Sequence, residues 1–165
     1  MMIRDEQPED AALIRDVITE AFATAGHSSG TEGKIVEGLR EAGALAVSLV
    51  ALEDAEIVGH GAISPVSIEG AQGWYGLGPV SVRPQRQQMG IGSALIWEAL
   101  ERLRQNGAAG CVVLGAPDFY LTFGFSHDPR ISYAEAPPEY FQVLDFGAER
   151  PAGPVAYHPA FDVES

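Results

Sequence analysis

The feature that most constrains this chain is a strand that ought not to continue. Residues Trp74–Val82 carry the apolar and aromatic character of a sheet strand, yet Gly76, Gly78 and Pro79 interrupt it. Proline cannot donate to a sheet ladder, and glycine inside a strand marks a bulge or a close approach. The segment therefore predicts a strand that is unpaired or bulged part-way along. It runs into Arg86-Gln87-Gln88-Met89-Gly90-Ile91-Gly92-Ser93, which opens a helix predicted over Gly90–Gln105. Leu95, Ala99 and Leu103 form one stripe of that helix, with Ile96 and Leu100 beside it. A helix start leaves backbone N–H groups without partners and carries partial positive charge. The junction between strand and helix is thus a ready anion site.

The charge pattern points the same way. The 165 residues include 10 Lys+Arg against 23 Asp+Glu, a net charge of −13. Such a chain repels phosphate backbones and anionic membranes, so neither nucleic acid nor a membrane is expected as a partner. Between Ile57 and Trp97 the sole acid is Glu69, while Arg83 and Arg86 flank the loop. Other phosphate-binding loops fail on residues. A dinucleotide fingerprint needs glycine where Leu95 stands, and a P-loop needs a lysine where the chain has none, its one lysine being Lys34.

The remaining elements follow from periodicity and turn residues. Ile3-Arg4 suits a short first strand. Ala11, Ile14, Ile18 and Phe22 recur at helical steps, predicting a helix over Pro8–Phe22, and a second is expected over Lys34–Glu41 after a polar loop, His27–Gly33. Leu45–Leu52 and Ile57–Ile68 read as strands around a turn at Glu53–Glu56. Gly110–Leu114 reads as a buried strand, Pro117–Phe123 as one or two helical turns, and Phe141–Phe146 and Val155–His158 as late strands. This order indicates one α/β domain over residues 1–165, a mixed sheet covered by helices. A mean hydropathy of +0.03 fits a folded chain. The acidic start lacks a signal-like apolar stretch, so a cytoplasmic location is expected. One cysteine, Cys111, and four scattered histidines call for no disulfide and no metal. The apolar neighbours of Cys111 mark it as a buried, inert thiol.

The pattern Gln87-x-x-Gly90-x-Gly92, preceded by Val80-Ser81-Val82-Arg83-Pro84, resembles the acetyl-CoA loop of the GNAT acetyltransferase superfamily. A second segment, Tyr120-Leu121-Thr122-Phe123-Gly124-Phe125, is similar to that superfamily's Tyr-x-x-x-Gly-Phe signature. Leu39-Arg40, Val58-Gly59-His60, Ser64-Pro65-Val66, Gly78-Pro79, Pro117-x-x-Tyr120 and Tyr157-His158-Pro159-Ala160-Phe161 resemble a subgroup of small bacterial N-acetyltransferases.

The resemblance implies a mostly antiparallel mixed sheet splayed between its fourth and fifth strands. It implies acetyl-CoA as co-substrate and a small-molecule or peptide amine as acceptor, in a monomer or homodimer. Gln87, Gln88, Met89, Gly90, Ile91, Gly92 and Ser93 would form the pyrophosphate loop, with backbone amides from Gln88 to Ser93 as donors. The edge of Val80, Ser81 and Val82 would pair with the pantetheine arm as an added strand. Tyr120 would protonate the departing thiolate. Two departures stand out. Val113 occupies the place where many members carry an asparagine, and no acid lies between Trp74 and Val82 to act as base. His60, Ser64 and Glu32 are then the candidates for that role. The competing readings are a non-catalytic acyl-CoA sensor, favoured by the missing acid, and a nucleotide-binding α/β protein. The Trp97 stripe is expected to be core packing.

Overall fold

Most of the chain's apolar side chains alternate along strands or recur on one face of a helix, and a central sheet buries both sets. In a computed structural model of the protein, which describes residues 1–23 and 30–163, β1 (Met2–Asp5) leads through a 3-10 turn at Pro8–Asp10 into α1 (Ala11–Phe22) and α2 (Glu32–Glu41). Strands β2 (Val47–Glu53), β3 (Glu56–Ile68) and β4 (Trp74–Val82) follow as a meander. Then come α3 (Ile91–Gln105), β5 (Gly110–Leu114), α4 (Pro117–Leu121), β6 (Ile131–Ser132), β7 (Phe141–Asp145) and β8 (Gly153–Tyr157). The main order is β1-β2-β3-β4-β5-β7, antiparallel except for β4 beside β5. The long β3 turns its last residues, Val66–Ile68, onto β8, which also pairs with β6.

The elements expected from sequence are present, with shifted ends. The first helix begins as a 3-10 turn, because Pro8 sits in its first turn and the Asp10 carboxylate accepts the Gln7 N–H at 2.7 Å. The second begins at Glu32 rather than Lys34, and the second strand at Val47 rather than Leu45. The turn between β2 and β3 is two-residue and tight, with Asp54 at φ 51° and Ala55 at φ 66°, the left-handed pair that suits hairpin twist. The short β6 lacks a sequence signal: two residues are too few to show a period. Part of the loop expected over His27–Gly33 lies outside the described residues.

Helix α3 packs on one face of the sheet. Leu95, Ile96, Ala99, Leu100 and Leu103 meet Val47, Leu49, Ile63, Leu77 and Val113 there. On the other face α1 presents Ile14, Val17 and Ile18 to Val36, Val50 and Ile57. Trp97 departs from the expected core role. It is 52% exposed and rests on Phe123 with ring centres 4.9 Å apart. Cys111 is fully buried, and burial pushes its thiol well above the ordinary range.

The interrupted strand behaves as its residues require. Gly61 of β3 faces Val80 and Ile63 faces Leu77, so Gly78 and Pro79 on β4 together oppose Ala62. That is a bulge, and the Gly78–Pro79 peptide is cis. On its other edge β4 pairs with β5 from Trp74–Gly110 to Leu77–Val113, and there the pairing stops. From Gly78 onward β4 has β3 on one side and an open edge on the other. The sheet is split between its fourth and fifth strands.

Candidate active site

Two cavities lie along this split. The first, about 390 Å³, opens where β4 leaves β5 and is bordered by Leu77, Gly78, Pro79, Val80, Leu114 and Tyr120. The second, about 260 Å³, lies at the start of α3, between Val82 and the loop residues Arg86, Gln87, Gln88, Gly90, Gly92 and Ser93, with Phe119 across from them.

The loop is shaped by backbone. Gln88 at φ 64° and Gly90 at φ 83° both lie in the left-handed region, and Gly90 is the residue before α3. No side chain caps that helix, so its first N–H groups stay available to a ligand. A Cβ at Gly90 would meet nothing within 4 Å. Glycine is needed at this position for its dihedral angles, not for space. The Gln87 side chain donates to the Val82 carbonyl at 3.0 Å and ties the loop to the end of β4.

The expected loop residues divide by role. Gln87, Gln88, Gly90, Gly92 and Ser93 border the cavity, Met89 is 65% exposed, and the Ile91 side chain is buried in the core beneath α3. Ile91 can therefore offer only its backbone amide, and the Met89 side chain stands outside the cavity. On β4, Val80 borders the split. The Ser81 side chain is buried without a hydrogen-bond partner, so Ser81 too offers backbone alone.

One electrostatic expectation needs correction. Arg83 and Arg86 are not free positive charges beside the loop. Arg83 pairs with Glu20 and donates to the Ile57 carbonyl at 3.0 Å, while Arg86 lies 3.6 Å from Glu53. Both acids come from elsewhere in the chain, where a count along the local sequence misses them. The loop's amides and the α3 dipole thus supply its fixed anion-binding groups, and Arg86, which borders the cavity, adds a charge partly offset by Glu53.

Tyr120 reaches the split from α4, whose first turn is fixed by Pro117. Its ring sits among Phe119 and Phe125, with centres 5.0 and 5.9 Å away. The hydroxyl makes no hydrogen bond among the described residues. Burial raises the phenol above its ordinary value, so it is protonated at neutral pH. The ring can lie where it does because residue 115 is glycine. A Cβ there would stand 2.2 Å from Cε2 of Tyr120.

The three base candidates separate clearly. Glu32, at the start of α2, borders the split cavity. Ser64 and His60 do not, and both are wholly buried. Nε2 of His60 lies 2.8 Å from the Ser48 hydroxyl. Ser48 donates to Glu6, whose carboxylate also accepts from Arg40 at 2.8 and 3.0 Å. With the Ser48 proton committed to Glu6, the imidazole donates through Nε2, and Nδ1 is left as a buried atom without a partner. Burial lowers the His60 pKa and keeps the ring neutral. Burial would raise the Glu6 carboxyl, but His60, Arg40 and Ser48 together hold it well below the usual carboxylate range. This network ties β1, α2, β2 and β3 together and does not enter the cleft.

The structure adds residues that motif reading passed over. Tyr133, Tyr157 and Phe161 form one wall of the split cavity, with Phe22 and Ile35 also bordering it. Tyr157 and Phe161 stand in a segment singled out only by resemblance, and Tyr133 carried no signal. Gly76 and Gly115 did carry one: a glycine in or just beyond a strand marks a close approach.

Comparison with known proteins agrees with this geometry. The model of the acetyltransferase (GNAT) family matches residues 12–125. The chain belongs to the GNAT family and is an acyltransferase. It is 34% identical to the uncharacterized N-acetyltransferase YhbS of Escherichia coli (strain K12), over 98% of this chain and 99% of that protein. A crystal structure of YhbS in complex with CoA superposes with a TM-score of 0.87 at 32% identity, covering 98% of this chain and 92% of the other. A GNAT family acetyltransferase from Brucella melitensis in complex with acetyl-CoA superposes with a TM-score of 0.86 at 53% identity, covering 98% and 97%. The overall fold is thus shared with these two structures.

Proposed function

We propose that this GNAT protein moves the acetyl group of acetyl-CoA to a primary amine by direct attack within a ternary complex. The observation that carries the reading is the shared cavity: Tyr120, the bulge at Gly78-Pro79 and the open edge at Val80 border one space. The amide loop closes its neighbour. Backbone N–H groups of Gln88–Ser93 hold the pyrophosphate, and the open edge of β4 pairs with the pantetheine arm as an added strand.

The chemistry then follows from what this chain offers. The neutral amine attacks the thioester carbonyl, and a C–N bond forms. A strand N–H facing the open edge stabilises the tetrahedral oxyanion. The C–S bond breaks, and the Tyr120 phenol gives its proton to the thiolate. The nitrogen releases one proton to water, and the phenoxide recovers one from water. The products are the amide and CoA. Related structures that hold acetyl-CoA and CoA support the choice of co-substrate.

The test is thiol release at saturating acetyl-CoA and amine. Tyr120→Phe is expected to lower kcat by about 10²–10³-fold, the scale of general acid catalysis. Because burial raises the phenol pKa, the acid stays loaded as pH rises, and wild-type kcat should not decline until pH passes the ordinary phenol value. An unchanged kcat in Tyr120→Phe removes the tyrosine from the mechanism.

A further inference from the structure

The acceptor half of the split is walled by aromatic rings that the fold has made room for. Tyr133 and Tyr157 meet edge-on with centres 5.2 Å apart, and Tyr157 and Phe161 lie 5.0 Å apart, so three rings form a continuous surface. Space for this surface is cleared by glycine. A Cβ at Gly76 would stand 2.7 Å from Cε1 of Tyr157, so the ring rests directly on the β4 backbone. A Cβ at Gly38 of α2 would come within 3.1 Å of Ala160, so the segment carrying Phe161 sits close against α2. Gly115 does the same for Tyr120. Phe22 and Ile35 border the same cavity.

The charge of this cavity is as one-sided as its shape. Among the described residues that border it, Glu32 is the one ionisable acid, and no lysine or arginine is present. Tyr133 stays a phenol, since burial and its hydrogen bond to Glu135 push it up to about 12. Ring faces attract cations and accept apolar area, and the carboxylate adds a negative potential. A carboxylate or phosphate on the acceptor would be stripped of water and meet no lysine or arginine among the described residues that border the cavity. A small polar amine would leave the ring surface wet.

Resting on the acetyl-transfer reading, we infer that the acceptor is a primary amine with an aromatic or bulky apolar body and no anionic group beside the nitrogen. The amine binds as its cation, its body against Tyr133, Tyr157 and Phe161 and its head towards Glu32 and the thioester. It loses a proton to water before attack. Free α-amino acids and polyols are disfavoured by this wall.

Matched acceptors test the inference. Initial rates of CoA release are measured with acetyl-CoA and, separately, 2-phenylethylamine, ethanolamine, putrescine and phenylalanine. Burial of the phenyl group is expected to raise kcat/KM for phenylethylamine about tenfold or more over ethanolamine and putrescine. The carboxylate of phenylalanine is expected to lose at least about tenfold of that against phenylethylamine. Phe161→Ala should raise the KM for phenylethylamine about tenfold with the KM for acetyl-CoA unchanged, and Phe161→Leu should recover part of it. Equal or better turnover of ethanolamine, putrescine or phenylalanine overturns the inference and leaves acetyl transfer standing. Acetyl-CoA binding without CoA release from any amine overturns both.

Discussion

The two halves of the split are built from different materials. At the α3 end the site is backbone: left-handed Gln88 and Gly90, uncapped helix amides and the open edge of β4. At the end proposed for the acceptor it is side chain: three packed rings, Tyr120 and Glu32, with Tyr157 and Tyr120 seated by the missing Cβ of Gly76 and Gly115. The proposed roles of the two ends give the difference a physical cause. A pyrophosphate is the same in every turnover, and fixed dipoles serve it without side-chain chemistry. An acceptor must be told from other amines, and discrimination comes from shaped apolar surface and charge. Substitutions at the two ends should therefore fail in different ways.

The strongest break is expected at Gly115. Adding one methyl there puts Cβ on top of the Tyr120 ring, which must move by more than an ångström. Displacement of a reacting group on that scale costs about 10²-fold in rate. Gly115→Ala should thus lower kcat by about that factor with little change in the KM for acetyl-CoA, measured by steady-state thiol release. A larger effect on the acetyl-CoA KM than on kcat would mean that Tyr120 serves the cofactor end.

Gly90 should do the reverse. A residue with a Cβ at φ 83° is strained by roughly 1–2 kcal/mol, so Gly90→Ala is expected to weaken acetyl-CoA about tenfold while the acceptor KM holds. Met89→Ala supplies the contrast within the same loop. Its side chain is exposed and its proposed contribution is an amide, so calorimetric titration with CoA should show less than about a twofold change. A large loss at Met89 would show that side chains, and not the backbone alone, hold the cofactor.

This division of materials also decides what sequence could show. The loop, the bulged strand and the helix behind them were legible because glycine, proline and helical periodicity are local signals of backbone shape. The strand anomaly at Gly78-Pro79 foretold the bulge and so the split. Tyr120 was legible through its motif and its place after β5. The acceptor wall was not, because Tyr133, Tyr157 and Phe161 are brought together by β6, β8 and the turn that follows, which are distant from α2 and β4 in sequence. The burial of His60 was equally hidden, since its partners Ser48 and Glu6 arrive from β2 and the end of β1. Arg83 and Arg86 misled for the same reason, as Glu20 and Glu53 reach them only through the fold.

On the proposed reading, backbone groups on one side of the split hold acetyl-CoA. Amide hydrogen exchange with and without acetyl-CoA tests it most directly, because it reads those groups themselves. Slowed exchange is expected for amides in Val80–Val82 and in Gln88–Ser93, with the amides of β1 and β2 unaffected. Binding of acetyl-CoA that leaves both stretches exchanging at their free rates would contradict the claim.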